Sequence, residues 1–430
     1  MREHTHAVQE HFNPAQEPDD PSPTSNASVL VVSAVVASIA FAVTCTHFFV
    51  TSPIDAVEFR LPPPAPFDNK MTPNERLSMA ELLLEDQVYG PESIAVNRKT
   101  GRVYTGLKTG LICEIDLDNE AKILRAVRLT SVEGCDGSYH SMPKCGRPLG
   151  MRVHPDTDEL YVLDAYLGLF SINWKTEKVR QFFAGGTSIT GNDSAIPTRY
   201  LNDFDFLPDG CLVISESSTK FDDRDFIYDL MEHRANGRLL SYNTDKDELT
   251  VLVGDLHFPN GVQVRRGKVL VAEMGKARIL KLVSPQACTI ILLEDNKMGG
   301  SRFSPSAEEL SVFIDNLPGY PDNIRHGSDG TLWVPIPTTR SETDSWLGAR
   351  PTIRSMLTKL LSPQAMHAVA DWMTHKYGLI LKVDIESGAV LESFHDPTGR
   401  ISDVSTAVED GKGNLILGSD VNYFLARLKL

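Results

Sequence analysis

From residue 90 to the C-terminus, short apolar runs alternate with turn residues. Turn signals such as PDTD, PDG and SDG stand before the runs ELYVLDAYLGLFSI, CLVISESS and TLWVPIP. Runs of β-branched and aromatic residues between Gly, Pro and Asp indicate β-strands. Most runs are followed by a second strand-like run, and six such rounds occur in the sequence. The pattern predicts an all-β fold.

The segments that open these rounds recur at a regular spacing. Their equivalent positions are Glu92, Gly150, Asn202, Asn260 and Asn323. The separations are 58, 52, 58 and 63 residues. Repeats of this length, each forming one small sheet, are typical of a β-propeller. We therefore expect a six-bladed β-propeller. The alternative, a pair of β-sandwiches, gives no reason for polar residues at one repeat position.

The next interval is longer because it contains an insertion. It runs from Asn323 to Asp403, a separation of 80 residues, and the insertion covers about 339–376. Apolar residues recur there at helical spacing, so we expect helices before the last blade. Two interpretations stay open: the helices pack on the rim of the propeller, or they cover a site or touch a membrane. Three cations would suit lipid headgroups in the second case: Arg350, Arg354 and Lys359.

The N-terminal part predicts a membrane anchor and a connector. Residues 27–50 are uncharged, and about 20 apolar residues suffice to cross a bilayer. Residues 1–26 form a mostly polar tail, unlike the short basic start of a cleaved signal peptide. We expect an uncleaved transmembrane helix at 27–50. Residues 51–85 should form a Pro-rich connector with a short helix from about Asn74 to Leu84, and residues 86–430 the propeller.

Composition removes some function classes. The chain has 42 Lys and Arg against 57 Asp and Glu, a net charge of -15. No basic stripe is visible, so we expect no nucleic-acid partner. Hydrophobic residues make up 41% and charged residues 23%, which excludes a wholly disordered chain. A protein partner cannot be named from the sequence.

Cysteines and a glycosylation motif bear on the compartment, because the few Lys and Arg near residues 27–50 do not decide the orientation. Cys135 and Cys145 lie ten residues apart in a loop-like stretch, where a local disulfide could form in an oxidising compartment. Asn192 begins an Asn-Asp-Ser acceptor sequence. Both signals also arise by chance. Together they favour a C-terminal body that is extracellular or in the lumen of the endoplasmic reticulum.

Equivalent loops of a propeller converge at one end of its central tunnel. The loops of this chain would bring together the residues Glu92, Asn202, Asn260, Asp322 and Asn323. Two carboxylates and three amides are hard oxygen ligands of the kind that calcium prefers. Zinc would be expected to use Cys or His, and this set has neither. Each residue alone is also a common turn former, so the prediction of a calcium site depends on their shared repeat position.

The stretches CGRPLG, LND, FPNGV, LPGYPDNIR and FHDPTG resemble the strictosidine synthase-like family over about residue 60 to the end. The resemblance implies a single N-terminal anchor and a six-bladed propeller. It also implies a wider kinship with paraoxonase-type calcium lactonases, whose catalytic calcium is held by residues that match the same five positions. Paraoxonases hold a second, structural calcium with an Asp directly after the Glu. The residue at that position is Ser93 here, although Asp203 stands beside Asn202, so we expect one calcium ion.

The resemblance also assigns the cysteines. A disulfide in the second-blade region of the plant synthases matches Cys135 and Cys145. Of the other cysteines, Cys45 lies in the predicted anchor. The remaining three lie in apolar runs, where we expect buried thiols: Cys113, Cys211 and Cys288.

Three functional hypotheses follow. The first is a membrane-anchored, calcium-dependent hydrolase of aryl esters or lactones, with a base among His140, His257 and His326 that the sequence cannot select. The second is a non-catalytic tethered propeller that binds a partner or lipid and holds a structural calcium. The third, a synthase-type condensation, is disfavoured because the position of its catalytic Glu aligns near Thr406.

Overall fold

A computed structural model describes residues 23–118, 120–189, 196–283 and 310–430. This part of the chain contains six four-stranded antiparallel sheets and one two-stranded sheet. The chain divides into two compact units, Met1–Thr51 and Ser52–Leu430. The first contains the helix α1 (Pro23–Phe49), within which Ala27–Phe49 is long and apolar enough to cross a membrane.

The six sheets are the blades of a propeller, which confirms the predicted fold. An N-terminal strand, β1 (Glu81–Leu83), precedes them. Blade 1 contains β2 (Ile94–Asn97), β3 (Arg102–Gly106), β4 (Leu111–Asp116) and β5 (Lys122–Arg128). Blade 2 contains β6 (Pro148–Val153), β7 (Leu160–Asp164), β8 (Gly168–Asn173) and β9 (Lys178–Ala184). Blade 3 contains β10 (Tyr200–Phe206), β11 (Leu212–Ser218), β12 (Gly237–Asn243) and β13 (Glu248–Leu256).

The second half of the chain repeats the arrangement. Blade 4 contains β14 (Pro259–Arg265), β15 (Lys268–Glu273), β16 (Arg278–Val283) and β17 (Leu310–Ile314). A short sheet pairs β18 (Gly319–Tyr320) with β21 (Thr338–Thr339). Blade 5 contains β19 (Arg325–His326), β20 (Thr331–Pro335), β22 (Gly378–Asp384) and β23 (Val390–Asp396). Blade 6 contains β24 (Val404–Glu409), β25 (Asn414–Ser419) and β26 (Leu425–Lys429), together with β1.

The N-terminal strand closes the ring. Strand β1 pairs antiparallel with β26, with Leu83 opposite Leu425, and so forms the outer edge of blade 6. The predicted short helix at 74–84 is therefore wrong: the structure has one 3₁₀ turn at Leu77–Met79 and then the strand. The open edge of β26 offers backbone partners that a local helix cannot match, and Leu77 and Leu83 are buried.

Stacking of the blades explains the apolar runs. Strand β7 is covered on both faces by neighbouring blades, and all five of its residues are buried. The outer strand β9 is mostly exposed, and its four exposed leading residues include Lys178, Arg180 and Gln181. Side chains from adjacent blades share one core, as where Trp333 of blade 5 packs with Ala407 and Leu417 of blade 6. The core is thus a ring of apolar layers around the tunnel.

The first strand of each blade lines the tunnel. These inner strands neighbour one another around the ring, and we call the end at which they begin the upper end. The loops between the second and third strands return to this end. Two of those loops contain α-helices: α3 (Phe226–Glu232) in blade 3, and α4 (Glu342–Gly348), α5 (Pro351–Leu360) and α6 (Pro363–Met373) in the predicted insertion. The helix α2 (Met142–Cys145) precedes blade 2 at the same end.

The connector packs on these upper helices. The backbone N–H groups of Val57 and Phe59 donate to the carbonyl oxygens of Glu232 and Gly348, both at 3.1 Å. Farther along, the ring of Phe67 stacks on that of Tyr377 at 5.8 Å. The Pro-rich segment is extended, as the sequence predicts, and it is held against the body along its length.

Candidate metal centre

The predicted ligands lie where the inner strands depart from regular pairing. The register of β10 shifts between Leu201 and Phe204, and that of β14 shifts between Pro259 and Val262. In the fifth blade, residues 321–324 separate β18 from β19. A β-bulge re-aims side chains that regular alternation would send to the blade faces. The turn-forming residues of the sequence therefore interrupt each strand at the upper end of the tunnel.

Glycines allow these irregular segments to approach each other. A Cβ atom on Gly261 would lie 2.4 Å from the carbonyl oxygen of Asp322 and 2.4 Å from the backbone nitrogen of Ile324. A Cβ atom on Gly150 would lie 2.9 Å from the carbonyl oxygen of Asn202. The second repeat thus has Gly150 where its neighbours have an acid or an amide, and close packing accounts for that residue.

Hydrogen bonds join blades 1, 5 and 6 at the same level. The amide Nδ2 of Asn323 donates to Glu92 Oε1 at 2.6 Å. The backbone N–H of Asn323 donates to the carbonyl oxygen of Ser405 at 3.0 Å. The Ser405 hydroxyl in turn donates to the carbonyl oxygen of Glu92 at 2.6 Å. Residues that are far apart in sequence are therefore held in register around the tunnel.

We call the five predicted ligands the oxygen cluster: Glu92, Asn202, Asn260, Asp322 and Asn323. All five are buried. Among the described residues, four of them have a buried side-chain oxygen without a hydrogen-bond partner: Glu92 Oε2, Asn202 Oδ1, Asn260 Oδ1 and Asp322 Oδ1. Buried polar atoms are rarely left unpaired, because each unpaired atom costs about 1–3 kcal/mol. Four such oxygens in one cluster fit a hard cation as their common partner.

The charges of the cluster lead to the same conclusion. Burial raises the pKa of Glu92 to about 7, against the opposing effect of the Arg147 guanidinium. Burial, followed by the charge of Glu92, raises the pKa of Asp322 well above its usual range. Two buried carboxylates that repel each other are stabilised in ionised form by a cation between them. The residues present therefore fit calcium, and the metal assignment itself stays a prediction.

Asp203, the acid beside Asn202 that could have served a second ion, forms a buried ion pair beside the oxygen cluster. Asp203 accepts hydrogen bonds from Arg325 at 2.8 Å and from Arg152 at 3.1 Å. Arg325 also donates to the Ser93 hydroxyl at 3.2 Å. Two guanidinium groups neutralise the Asp203 carboxylate, so this acid has no charge left for a metal. The arrangement is consistent with the expectation of one ion.

The three candidate histidines lie in different places. His140 is exposed in the loop before blade 2. The ring of His257 lies 4.9 Å from that of His233, and burial lowers its pKa to about 4. His326 follows Asn323 by three residues, about 10 Å along an extended strand, and its backbone N–H donates to Gln263 Oε1 at 2.8 Å. Within the described residues, none of the three hydrogen-bonds to the oxygen cluster.

A histidine that the sequence did not single out lies at the mouth of the tunnel. His367 on α6 is partly buried, which lowers its pKa; the charge of Lys108 also lowers it, and that of Asp223 raises it. Lys108 and Asp223 also act on Asp420, whose charge raises the pKa of Glu92. His367 and Asp420 therefore share two charged neighbours, and Asp420 in turn acts on Glu92. No sequence signal marks His367, because a helical insertion carries it there.

Two other residues complete the mouth. The Tyr200 hydroxyl, two residues before Asn202, donates to Asp223 Oδ1 at 2.9 Å. Thr406 is fully buried, its hydroxyl has no hydrogen-bond partner among the described residues, and its backbone pairs with that of Asn323. Both have hydroxyls rather than charges, and the sequence pattern of amides and acids did not include them.

The cysteines agree in part with the expectations. Cys135 and Cys145 are disulfide-bonded, which confirms that pairing. Cys113 is a buried thiol, and burial raises its pKa to about 11. Cys211 is disulfide-bonded, so the expectation of a buried thiol there is wrong. Its apolar strand fits a half-cystine as well as a thiol, because both are packed as small hydrophobic groups. Cys288 and Asn192 lie outside the described residues.

Comparisons with known proteins place the chain among relatives of similar length. Family models match at residues 202–286, for strictosidine synthase, and at residues 70–115, for strictosidine synthase-like, N-terminal. Adipocyte plasma membrane-associated protein from Salmo salar is 35% identical over 390 residues, which is 89% of this chain and 86% of that protein. Strictosidine synthase-like protein 13 from Arabidopsis thaliana is 30% identical over 375 residues, 82% of this chain and 86% of its own.

Among solved structures, a gluconolactonase from Xanthomonas campestris is similar with a TM-score of 0.50 and 12% identity. The similarity covers 88% of this chain and 97% of the gluconolactonase. At this identity the likeness concerns the propeller fold alone.

Proposed function

The chain belongs to the strictosidine synthase-like family, and from this premise we propose that its propeller is a calcium-dependent hydrolase of aryl esters or lactones. The observation that carries the proposal is the set of four unpartnered, buried oxygens at the upper end of the tunnel. A site that only stabilised the fold could be closed by side chains of matching polarity. His367 and Tyr200, which both have Asp223 as a neighbour, lie at the same end of the tunnel.

The oxygen cluster would hold the ion through Glu92, Asn202, Asn260 and Asp322, with Asn323 held against Glu92. Bound there, calcium would polarise a substrate carbonyl and stabilise the negative charge that develops on its oxygen. Arg147, which donates to the carbonyl oxygen of Gly90 at 2.8 Å, holds the turn that carries Glu92. The inner-strand backbone thus fixes the donors before substrate arrives.

His367 is the candidate for the group that accepts a proton from water. Its ring lies 4.7 Å from that of Phe226, and the backbone of Arg224 hydrogen-bonds to it, so two neighbours fix its orientation. Burial keeps the imidazole neutral near pH 7, which is the form that acts as a base. Asp223, paired with the Tyr200 hydroxyl, would stabilise the imidazolium that forms. A leaving alkoxide or phenoxide would then recover the proton.

Synthase-type condensation is less well supported by the last blade. The aligned position is Thr406, which has no carboxylate. The nearby acids have other partners: Glu409 accepts from Trp333 Nε1 at 2.9 Å, and Asp403 accepts from the Lys376 ammonium at 3.1 Å. Neither acid is placed to exchange a proton with an amine in the tunnel.

The location of the activity is part of the proposal. Relatives that span most of the chain are named for the plasma membrane, and the structure has one apolar helix at Ala27–Phe49. We propose that this helix spans the membrane once and that the propeller lies outside the cell or in the lumen of the endoplasmic reticulum. The disulfide of Cys135 with Cys145 supports an oxidising compartment.

The deciding experiment uses the full chain in detergent or vesicles. Hydrolysis of phenyl acetate and of simple lactones is measured with calcium and with a chelator, for wild type and Asn260→Ala. Asn173→Ala is the control, because this amide caps an outer turn of blade 2. We expect activity to fall with chelation and in Asn260→Ala only. A folded, calcium-binding chain without turnover would instead support the non-catalytic tethered propeller.

A further inference from the structure

The insertion helices carry an apolar face that no described part of the chain covers. Its most exposed residues are Trp372 at 84%, Met373 at 58%, Leu360 at 50% and Trp346 at 48%. On α6, Val369, Trp372 and Met373 are spaced three and four residues apart, so they share one side of the helix. Large apolar side chains grouped in this way mark an interaction surface. We call this set of residues on α4–α6 the apolar face.

The side of α5 opposite Leu360 is filled. Arg354 and Thr358, four residues apart on α5, are both buried. Arg354 donates to the carbonyl oxygens of Met231 and Val57, and so joins α5 to α3 and to the connector. The earlier suggestion that Arg354 meets lipid headgroups is therefore wrong, because its guanidinium is used inside the body. Leu360 therefore lies on the outward side of a helix that is fixed to the body.

Chain connectivity limits how far this layer can lie from a bilayer. The hydroxyl of Ser52 hydrogen-bonds with that of Thr358 on α5 at 3.2 Å. The apolar helix ends at Phe49, three residues earlier. Three extended residues span at most about 11 Å. If the helix crosses the membrane, the C-terminal end of α5 must therefore stay within about this distance of the point where the chain leaves it.

We propose that the apolar face inserts into the interfacial region of the same membrane that holds the N-terminal helix. Trp is well suited to this region, because its ring is apolar and its indole N–H can meet the headgroups. Arg350 stacks over the Trp346 ring at 4.3 Å and puts a cation at the edge of the face. The proposal does not depend on catalysis, since a non-catalytic propeller would dock in the same way.

Tryptophan fluorescence can test the proposal in the full chain. The chain has four tryptophans and none lies within residues 27–50, so emission reports on the body alone. The chain is reconstituted into phosphatidylcholine vesicles with plain or brominated acyl chains, because bromine quenches only tryptophans that reach the acyl region. We expect brominated lipid to quench wild type, and Trp372→Phe to lose most of that quenching.

The matched control is Trp174→Phe. This residue stacks on Tyr104 between blades 1 and 2, at 5.5 Å between ring centroids, so its loss should leave the quenched fraction unchanged. Thermal unfolding verifies that both variants are folded. Equal quenching of wild type and Trp372→Phe would overturn the proposal. A second result would also overturn it: wild-type emission is not quenched, and the chain self-associates unless Trp372 is replaced by Glu. The apolar face would then contact a second copy of the chain.

Discussion

Glu92 and Asp322 are two acids that the fold places together at an energetic cost. Each is buried, and the charge of Glu92 raises the pKa of Asp322. Without a cation, the repulsion destabilises the folded chain. With calcium, the same charges contribute binding energy, and an ion that binds only the folded state adds RT ln(1 + [L]/Kd), about 2.7 kcal/mol at 100 Kd. Whether wild type is more or less stable than a variant that lacks one of these acids should therefore depend on calcium.

The stability of Asp322→Asn relative to wild type should reverse between chelator and calcium. In chelator we expect Asp322→Asn to be at least as stable as wild type, because one buried charge is removed at nearly constant shape. In saturating calcium we expect it to be less stable, by about 1–3 kcal/mol, because a charged ligand is lost. Thermal unfolding in the two buffers measures both. Asp205→Asn, at the other end of the tunnel, is the control. The same ranking in both buffers would contradict the assignment of Asp322 as a ligand.

The structure distinguishes His367 from the histidines that the sequence suggested. His367 is partly buried on α6, whereas His140 is exposed in the loop before blade 2. If hydrolysis is confirmed, we expect His367→Gln to lower kcat by about 10²- to 10⁴-fold, the range for a general base. His140→Gln should leave kcat unchanged. Calcium-dependent stabilisation should be retained in both variants. Full activity of His367→Gln would move the search for the base to the carboxylates.

A buried histidine pair should make the body sensitive to acid. The pKa of His233 is lowered to about 2, first by burial and then by the charges of His257, Lys276 and Arg354. The unfolded state binds a proton near pH 6.5 and the folded state does not. Stability is therefore fully present above pH 6.5 and is lost as the pH falls below it.

The variant His233→Phe should keep the ring contact with Phe59, at 3.4 Å between centroids, and remove the titration. We expect its stability to match wild type at pH 7.5 and to decline less between pH 6.5 and 4.5. Denaturant unfolding at several pH values measures this. Parallel pH dependence of the two proteins would show that other groups govern acid unfolding.

Among the elements, β1 has a structural role out of proportion to its three residues. It supplies the fourth strand of blade 6, so the N-terminal part of the body holds the C-terminal blade in place. We expect Leu83→Ala to lower the free energy of unfolding by about 2–5 kcal/mol, because Leu83 is buried between blades 1 and 6.

The control for this change is Glu81→Gln on the same strand. Its pair with Arg427, at 2.7 Å, is exposed, so the loss should be at most about 1 kcal/mol. Denaturant unfolding measures both variants. An equal effect of the two changes would mean that strand pairing alone, without burial of Leu83, closes the ring.

These elements also show what the sequence could predict. The periodic apolar runs predict the number of blades. Polar residues at one repeat position, such as Asn202 and Asn260, predict the members of the oxygen cluster, because both features depend on a local repeat. The role of β1 could not be read in the same way. Its residues have helical spacing, and only the open edge of β26 selects a strand. His367 was missed for a related reason, since helix packing rather than periodicity brings it to the mouth.

At the scale of the body, the upper end combines three features. The oxygen cluster opens there, the insertion helices form a layer beside it, and the connector from Ser52 packs on that layer. The opposite end has short turns and His326. The connector and the mouth of the tunnel are thus at the same end of the propeller.

The compartment of the whole molecule can be tested through its covalent modifications. The bond between Cys135 and Cys145 and the half-cystine Cys211 persist only where thiols are oxidised. In sealed microsomes we therefore expect added protease to spare the propeller and to digest it once detergent is present. Endoglycosidase should shift the mobility of wild type and of Asn26→Gln, whose acceptor sequence abuts the apolar segment, but not that of Asn192→Gln. Digestion of the propeller in sealed vesicles would place it in the cytosol, where these disulfides would not be maintained.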